Sequence, residues 1–214
     1  MYLRYLCFPI NVLGPGKRIG LWLTGCSKNC PGCMSVELRQ RREDDEVSLV
    51  LVEQAIERCA RKGASGITIS GGEPFDQAEE LALLVEWCEA NITRDILVYT
   101  GYTQDELVGI RGARDVLAHI ATLIDGPYVA ELDDGIGARG SANQRVIDLC
   151  DLQDQRSCQN YDYEGVARER QAFHYGDHLF IAGLDGGQRK GSQLEDSQRK
   201  GIRIEGSQYR EVSE

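Results

Sequence analysis

The chain has 214 residues, 42% of them apolar, and a formal net charge of −10. That length supports one well-buried core and is short for two. No apolar run approaches the ~18 residues of a membrane helix, and the acidic balance argues against binding a nucleic-acid backbone, which wants a basic surface.

Met1 to Ile10 is apolar but is broken by Arg4 and lacks a small-residue cleavage site, so it is not expected to be a signal peptide. Eight cysteines without an export signal fit thiolates in a reducing cytoplasm better than disulfides. Ile19–Gly25 (IGLWLTG) reads as the first strand. Cys26, Cys30 and Cys33 follow at once, spaced C-x3-C-x2-C. Three thiolates this close can grip one small inorganic object from one side. A cubane iron–sulfur cluster usually takes four cysteines, so three leave one iron open. Open coordination is what a metal site keeps for chemistry. Two blander readings compete. Cys30-Pro-Gly-Cys33 could be a redox C-x2-C pair or half of a zinc site. A zinc knuckle wants a second close pair, whereas Cys59 and Cys88 fall on helix-like stretches as small core residues, and His119, His174 and His178 are scattered.

Three more strand-like runs follow: Ser65–Ser70, Asp95–Thr100 and Ala121–Asp125. Between them, Val47–Lys62 places Val50, Leu51, Val52, Ile56 and Cys59 mostly on one helical face. Asp76–Asn91 does the same with Leu81, Leu84, Val85 and Cys88, and Asp76-Gln-Ala-Glu79 reads as its start signal. Thr103-Gln-Asp-Glu106 has the form of a capping box. Strand–helix alternation predicts parallel strands joined by right-handed crossovers. The unusual loops (Cys26–Cys33, Gly71-Gly-Glu-Pro74, Gly101-Tyr102 and Gly126-Pro-Tyr128) all follow strands, so they should converge on one rim, where such folds place active sites. Lys17 and Arg18 are open between a place near the cysteines and a solvated turn. His174–Leu184 reads as a turn and one further strand. Cys150 and Cys158 are weak candidates for a second metal. The stretch from Asp185 onward is too polar to offset chain entropy and is expected to be disordered.

Cys26–Cys33 after the first strand, joined to Gly71-Gly-Glu-Pro74 after the second, resembles the radical S-adenosylmethionine (SAM) superfamily. Within it, Gly14-Pro-Gly16, Thr24-Gly-Cys26, Cys30-Pro-Gly-Cys33, Ser70–Phe75, Tyr99-Thr-Gly-Tyr102, Ile124–Tyr128 and Arg139–Ile147 are similar to the activating proteins of anaerobic ribonucleotide reductase. The resemblance implies an α/β fold, an incomplete βα barrel with parallel strands. It implies a core over 1–148; beyond it the sequence itself reads as a C-terminal extension over 149–184 with one strand and a disordered tail over 185–214.

It also implies that Cys26, Cys30 and Cys33 hold a [4Fe–4S] cluster whose fourth iron is chelated by the methionine part of SAM. Gly71, Gly72, Glu73 and Pro74 would contact the SAM amino group. Gly32 stands where many members place an aromatic residue near the adenine, so contact there would run through backbone. Thr100 and Asp125, at strand ends, are candidates for SAM ribose or carboxylate contacts; a cap or turn is the plainer reading. Arg145 could pair with the SAM carboxylate, or form a surface ion pair. The implied activity is reductive cleavage of SAM to a 5′-deoxyadenosyl radical. The radical would activate a glycyl radical enzyme of the anaerobic ribonucleotide reductase or pyruvate formate-lyase type. Its partners would be that enzyme and a low-potential electron donor such as flavodoxin, with no nucleic acid and no membrane. Modification of a peptide or small molecule, and a non-enzymatic Fe–S electron-transfer or zinc protein, are the alternatives.

Overall fold

The computed structural model describes residues 1–150, 162–163, 165, 168–175, 178–184, 202–205 and 208–211. Six strands form the body of a mixed sheet: β1 (Leu3–Ile10), β2 (Arg18–Leu23), β3 (Gly66–Gly71), β4 (Ile96–Tyr99), β5 (Thr122–Asp125) and β6 (Arg145–Asp148). They lie side by side in chain order. β2 to β5 are parallel, with Ile19 opposite Ile67, Ile67 opposite Ile96 and Val98 opposite Leu123. β1 and β6 add antiparallel at the two sides. The four strands expected from the sequence are these parallel ones. β1 and β6 were not legible: β1 mixes Arg4 and Tyr5 into its apolar run, and β6 is only four residues with charged ends.

The helices are α1 (Leu49–Arg61), α2 (Ala78–Asn91), α3 (Gln104–Leu107) and α4 (Ala113–Ala118). In α1 the inward face is Val52, Ala55, Ile56 and Cys59, whereas Val50 points to solvent. The expected face of α2, Leu81, Leu84, Val85 and Cys88, is wholly buried. α3 opens on the expected capping box, with Thr103 Oγ1 accepting from Glu106 N–H and Glu106 accepting from Thr103 N–H. Because strand side chains alternate, Ile19, Leu21, Leu23, Ile67, Ile69 and Val98 face α1 and α2, and Trp22, Leu97 and Tyr99 face the other way. No helix among the described residues is long and apolar enough to cross a membrane.

Two expectations are corrected in the C-terminal part. The extension carries a hairpin rather than one strand: β7 (Arg170–Tyr175) pairs antiparallel with β8 (His178–Gly183). His174 belongs to β7, whose polar Gln171 and His174 mask its alternation in the sequence. In the tail, β9 (Ile202–Glu205) and β10 (Gln208–Glu211) pair with each other, and β9 adds to β1 at Leu6. β9 thus covers the outer side of β1, which would otherwise be an edge of the sheet. Residues 185–201 and Cys158 lie outside the described residues.

Arg18 settles at neither place the sequence suggested. It begins β2, at the end of the sheet away from the cysteines, and is fully buried. Its guanidinium donates to Asp95 at 2.7 and 2.9 Å, to Thr68 Oγ1 at 2.7 Å and to the carbonyls of Ile67 and Pro15. A buried cation is tolerable only when charge and donors are matched in this way. It closes the bottom of the sheet.

Candidate metal centre

Parallel strands bring the C-terminal ends of β2 to β5 to one rim, and the four expected loops follow there. The cysteine loop is folded back on itself at its base. Gly25 N–H donates to Leu38 O at 2.9 Å and Cys26 N–H to Arg39 O at 3.0 Å. Within it, Cys33 N–H reaches Cys30 O at 3.3 Å and Ser35 N–H reaches Cys33 Sγ at 3.4 Å. Arg39 donates to Cys30 O. Asn29 and Gly32 take left-handed φ values of 50° and 73°. Such turns let a short chain wrap around a guest instead of extending.

The three thiols are free and partly exposed. Burial pushes the Cys26 thiol up, while the N–H groups of Asn29 and Lys28 directed at its sulfur pull it down. Those donors suit a sulfur that carries negative charge. No group of three or more His, Cys, Asp or Glu side chains among the described residues gathers as a single ion requires. A cubane takes its thiolates on separate irons, so its ligands stand apart. Three free thiols on one loop are a donor set that could hold a [4Fe–4S] cluster and leave one iron open. His119, one of the scattered histidines, is bonded to Glu89 at 2.6 Å.

The loop is strapped to its neighbours by residues that the motifs do not name. Asp76 accepts from Ser27 N–H at 2.6 Å, Ser27 Oγ at 2.8 Å and Tyr102 OH at 3.1 Å. Lys28 lies over the Tyr102 ring, 4.0 Å from its centroid, and pairs with Glu106 at 3.2 Å. Asp76 thus serves the cysteine loop and not the helix start that its sequence position suggests; α2 begins at Ala78. Short polar residues at strand ends were the only sequence signal for these straps.

Gly71 and Gly72 are constrained by the protein's own backbone. A Cβ at Gly71 would strike Leu23, and one at Gly72 would strike the carbonyl of Gly25 and come within 3.0 Å of Leu38 O. Gly72 N–H bonds Leu23 O at 2.8 Å and Glu73 N–H bonds Gly25 O at 2.7 Å. The glycines therefore interlock the ends of β2 and β3 directly below Cys26. Pro74 starts a short 3-10 turn and is buried. Glu73 is buried too, and its carboxylate accepts from Phe75 N–H at 3.0 Å, Thr100 Oγ1 at 2.7 Å and Gly101 N–H at 2.7 Å. Burial raises its pKa to about 7 against the pull of those donors. Thr100 is thereby the tie between the ends of β3 and β4.

Asp125 and Arg145 meet each other. They sit opposite in the β5–β6 register and form a two-pronged ion pair, with Nε to Oδ1 at 2.9 Å. Asp125 is buried and also accepts from Gln104 N–H at 2.8 Å, whereas the Arg145 side chain is 55% exposed. Gly32 lies beside the β5–β6 connection: a Cβ there would stand 3.1 Å from Ala130 Cβ and 3.8 Å from the Tyr128 ring. The structure thus brings Gly71 to Pro74 and Thr100 together beneath the cysteines, and sets Asp125 with Arg145 as a separate pair on the same rim.

Residues 12–147 match the family model described as a 4Fe-4S single cluster domain. The chain is 32% identical over 149 residues to the anaerobic ribonucleoside-triphosphate reductase-activating protein of Escherichia coli K12, covering 66% of this chain and 96% of that one. The protein of the same description from Enterobacteria phage T4 is 30% identical over 145 residues, 66% of this chain and 89% of its own. That of Vibrio cholerae is 34% identical over 149 residues, 65% and 93%. The chain belongs to the family of anaerobic ribonucleoside-triphosphate reductase-activating proteins, with a 4Fe-4S single cluster domain.

Proposed function

We propose that this chain is a radical SAM enzyme, built as an incomplete βα barrel, that activates a glycyl radical enzyme of the anaerobic ribonucleotide reductase type in a reducing cytoplasm. The observation that carries the reading is the partly open Cys26–Cys30–Cys33 loop, with N–H groups aimed at sulfur, seated where four parallel strands end. Cys26, Cys30 and Cys33 would hold a [4Fe–4S] cluster and leave one iron for SAM. When bound, the cluster supplies the low-potential electron that splits SAM into methionine and the 5′-deoxyadenosyl radical, which takes hydrogen from a partner glycine. A donor such as flavodoxin would reduce it.

This chain's own residues position SAM. Glu73 already accepts three hydrogen bonds, from Phe75, Thr100 and Gly101, so it serves by tying the ends of β3 and β4, and the backbone carbonyls of Gly71 and Gly72 would meet the SAM amino group. Gly32 offers backbone to the adenine, and Pro74 and Thr100 hold the floor. Arg145, anchored by Asp125, presents a half-exposed guanidinium for the SAM carboxylate.

The test is anaerobic reconstitution followed by a strong reductant and SAM. The chain should bind about four irons and four sulfides, the content of one cubane. It should release 5′-deoxyadenosine and, with the reductase, give a glycine-centred radical by EPR. Cys26→Ala, Cys30→Ala and Cys33→Ala should each lose the cluster, while Cys59→Ala and Cys88→Ala should not. A cubane retained by all three ligand variants refutes the assignment.

A further inference from the structure

The family match ends at residue 147, and about two thirds of this chain accounts for 89–96% of the relatives' length. The segment beyond has no task in that reading, yet it is tied to the site. β7 and β8 cover the sheet face opposite the helices: Phe173, Tyr175, Phe180 and Ala182 pack with Leu13, Trp22 and their neighbours. Gln171 joins Pro9 O at 2.7 Å and Asn11 N–H at 3.2 Å.

Just before β7 stands Arg168, its side chain 2% exposed. Its guanidinium reaches into one loop: the Asp133 carboxylate at 2.5 Å, Gly137 O at 3.2 Å, Ile136 O at 3.4 Å, and Arg139 O, with the Asp134 carboxylate 3.7 Å away. A second tie from the same segment runs from Ala138 N–H to Tyr163 O at 3.0 Å. The loop holds Gly135 and Gly137, both at positive φ, so alone it would be costly to order. A planar five-donor fork that is desolvated only when its acceptors surround it fixes such a loop in one shape. The order passes on: Asp133 also accepts from Tyr128 OH at 3.2 Å, and Tyr128 and Ala130 are the groups that flank Gly32 between Cys30 and Cys33.

We propose that Arg168 is a positioning residue: it freezes the 128–139 loop as the wall beside Gly32 and so sets how tightly the site takes SAM. The extension thus pre-organises the cofactor site from outside the family core, and the inference rests on the SAM reading above.

The experiment compares the reconstituted holoprotein with Arg168→Ala, Arg168→Lys and Asp133→Asn. Iron content, KM and kcat for SAM cleavage without partner, and the rate of tryptic cut after Arg139 are measured. Arg168→Ala should keep its iron, raise KM for SAM about tenfold with kcat little changed, and be cut faster after Arg139. Asp133→Asn should shift both readouts the same way. Lysine supplies a point charge without the fork, so Arg168→Lys should fall between wild type and Ala. KM within about twofold of wild type in all three variants would overturn the proposal. So would loss of iron in Arg168→Ala with Arg168→Lys and Asp133→Asn unchanged, the pattern of a strut that only supports folding. If the wild type does not cleave SAM, the SAM reading itself fails. The cut after Arg139 then decides alone whether Arg168 holds the loop, and equal rates in all variants would show that it does not.

Discussion

Gly72→Ala tests whether the glycines of the second loop lock strands or merely make room. Gly72 is not among the glycines held at positive φ, so the added methyl carries the main effect. That methyl would strike the Gly25 carbonyl and press on Leu38 O, and both are backbone atoms that no rotamer change can move. Overpacking of this kind costs about 1–3 kcal/mol. Pushing β3 from β2 also strains the Gly72–Leu23 and Glu73–Gly25 hydrogen bonds, each worth about 1 kcal/mol. A loss of about 3–5 kcal/mol is therefore expected if both bonds go. Gly63→Ala is the control: it has φ of +89° and nothing within 4 Å of a new Cβ, so it should cost about 1 kcal/mol of backbone strain alone. Urea unfolding of the metal-free proteins gives the stabilities, and iron content after reconstitution reads the cysteine loop, whose base is Gly25. Gly72→Ala should fall well below Gly63→Ala on both. Equal stability of the two variants, or full iron content in Gly72→Ala, would refute the interlock.

Glu73 should leave a pH signature. Its folded pKa of about 7 lies above the ordinary carboxylate value of 4.5, so protonation stabilises the fold. That contribution is complete below pH 4.5 and is lost as pH rises through 7. The stability of wild type minus that of Glu73→Gln should therefore fall by about 2–3 kcal/mol between pH 5 and pH 8. A difference that rises instead would show that the three donors outweigh desolvation. Asp76→Ala should cost about 1 kcal/mol, because its bonds to Ser27 are exposed, and should speed loss of iron to a chelator; an unchanged rate would remove Asp76 from the support of the cluster loop.

The parallel strands and the rim were legible because they rest on local signals: β-rich runs of four to six residues, followed by Thr24, Gly72, Thr100 and Gly126. The gathering of Cys26, Cys30 and Cys33 on one rim loop was legible because they lie close in sequence directly after a strand. The ties between loops were not. Asp76 to Ser27, Glu73 to Thr100 and Arg168 to Asp133 join residues far apart in the chain, and nothing local marks a carboxylate as belonging to a distant N–H. Asp125 and Arg145 show the same blindness from the other side. Each could be read singly as a ligand for SAM, and only the β5–β6 register reveals that they bind each other. The hairpin β7–β8 was half seen, because Phe180 and Ile181 announce a strand while Gln171 and His174 hide its partner.

The close approach at Gly71 and Gly72 bears on how such a motif should be read. A glycine pair before an acidic residue and proline invites a ligand explanation, since a missing Cβ makes room for a guest. Here the room is filled by Leu23 and Gly25 at the end of β2, and the acid by Thr100 and Gly101 just after β4. The fold would require those residues even with nothing bound. The motif by itself is then evidence of a tight junction between three parallel strand ends, and what makes it a candidate site is the Cys26–Cys33 loop resting on that junction. The two features need each other. Thiolates on a loop tied only at its base could not keep one spacing, and a rigid rim without thiolates has nothing to hold. That dependence is why a methyl group at Gly72, which touches no cysteine, is expected to be read out in iron.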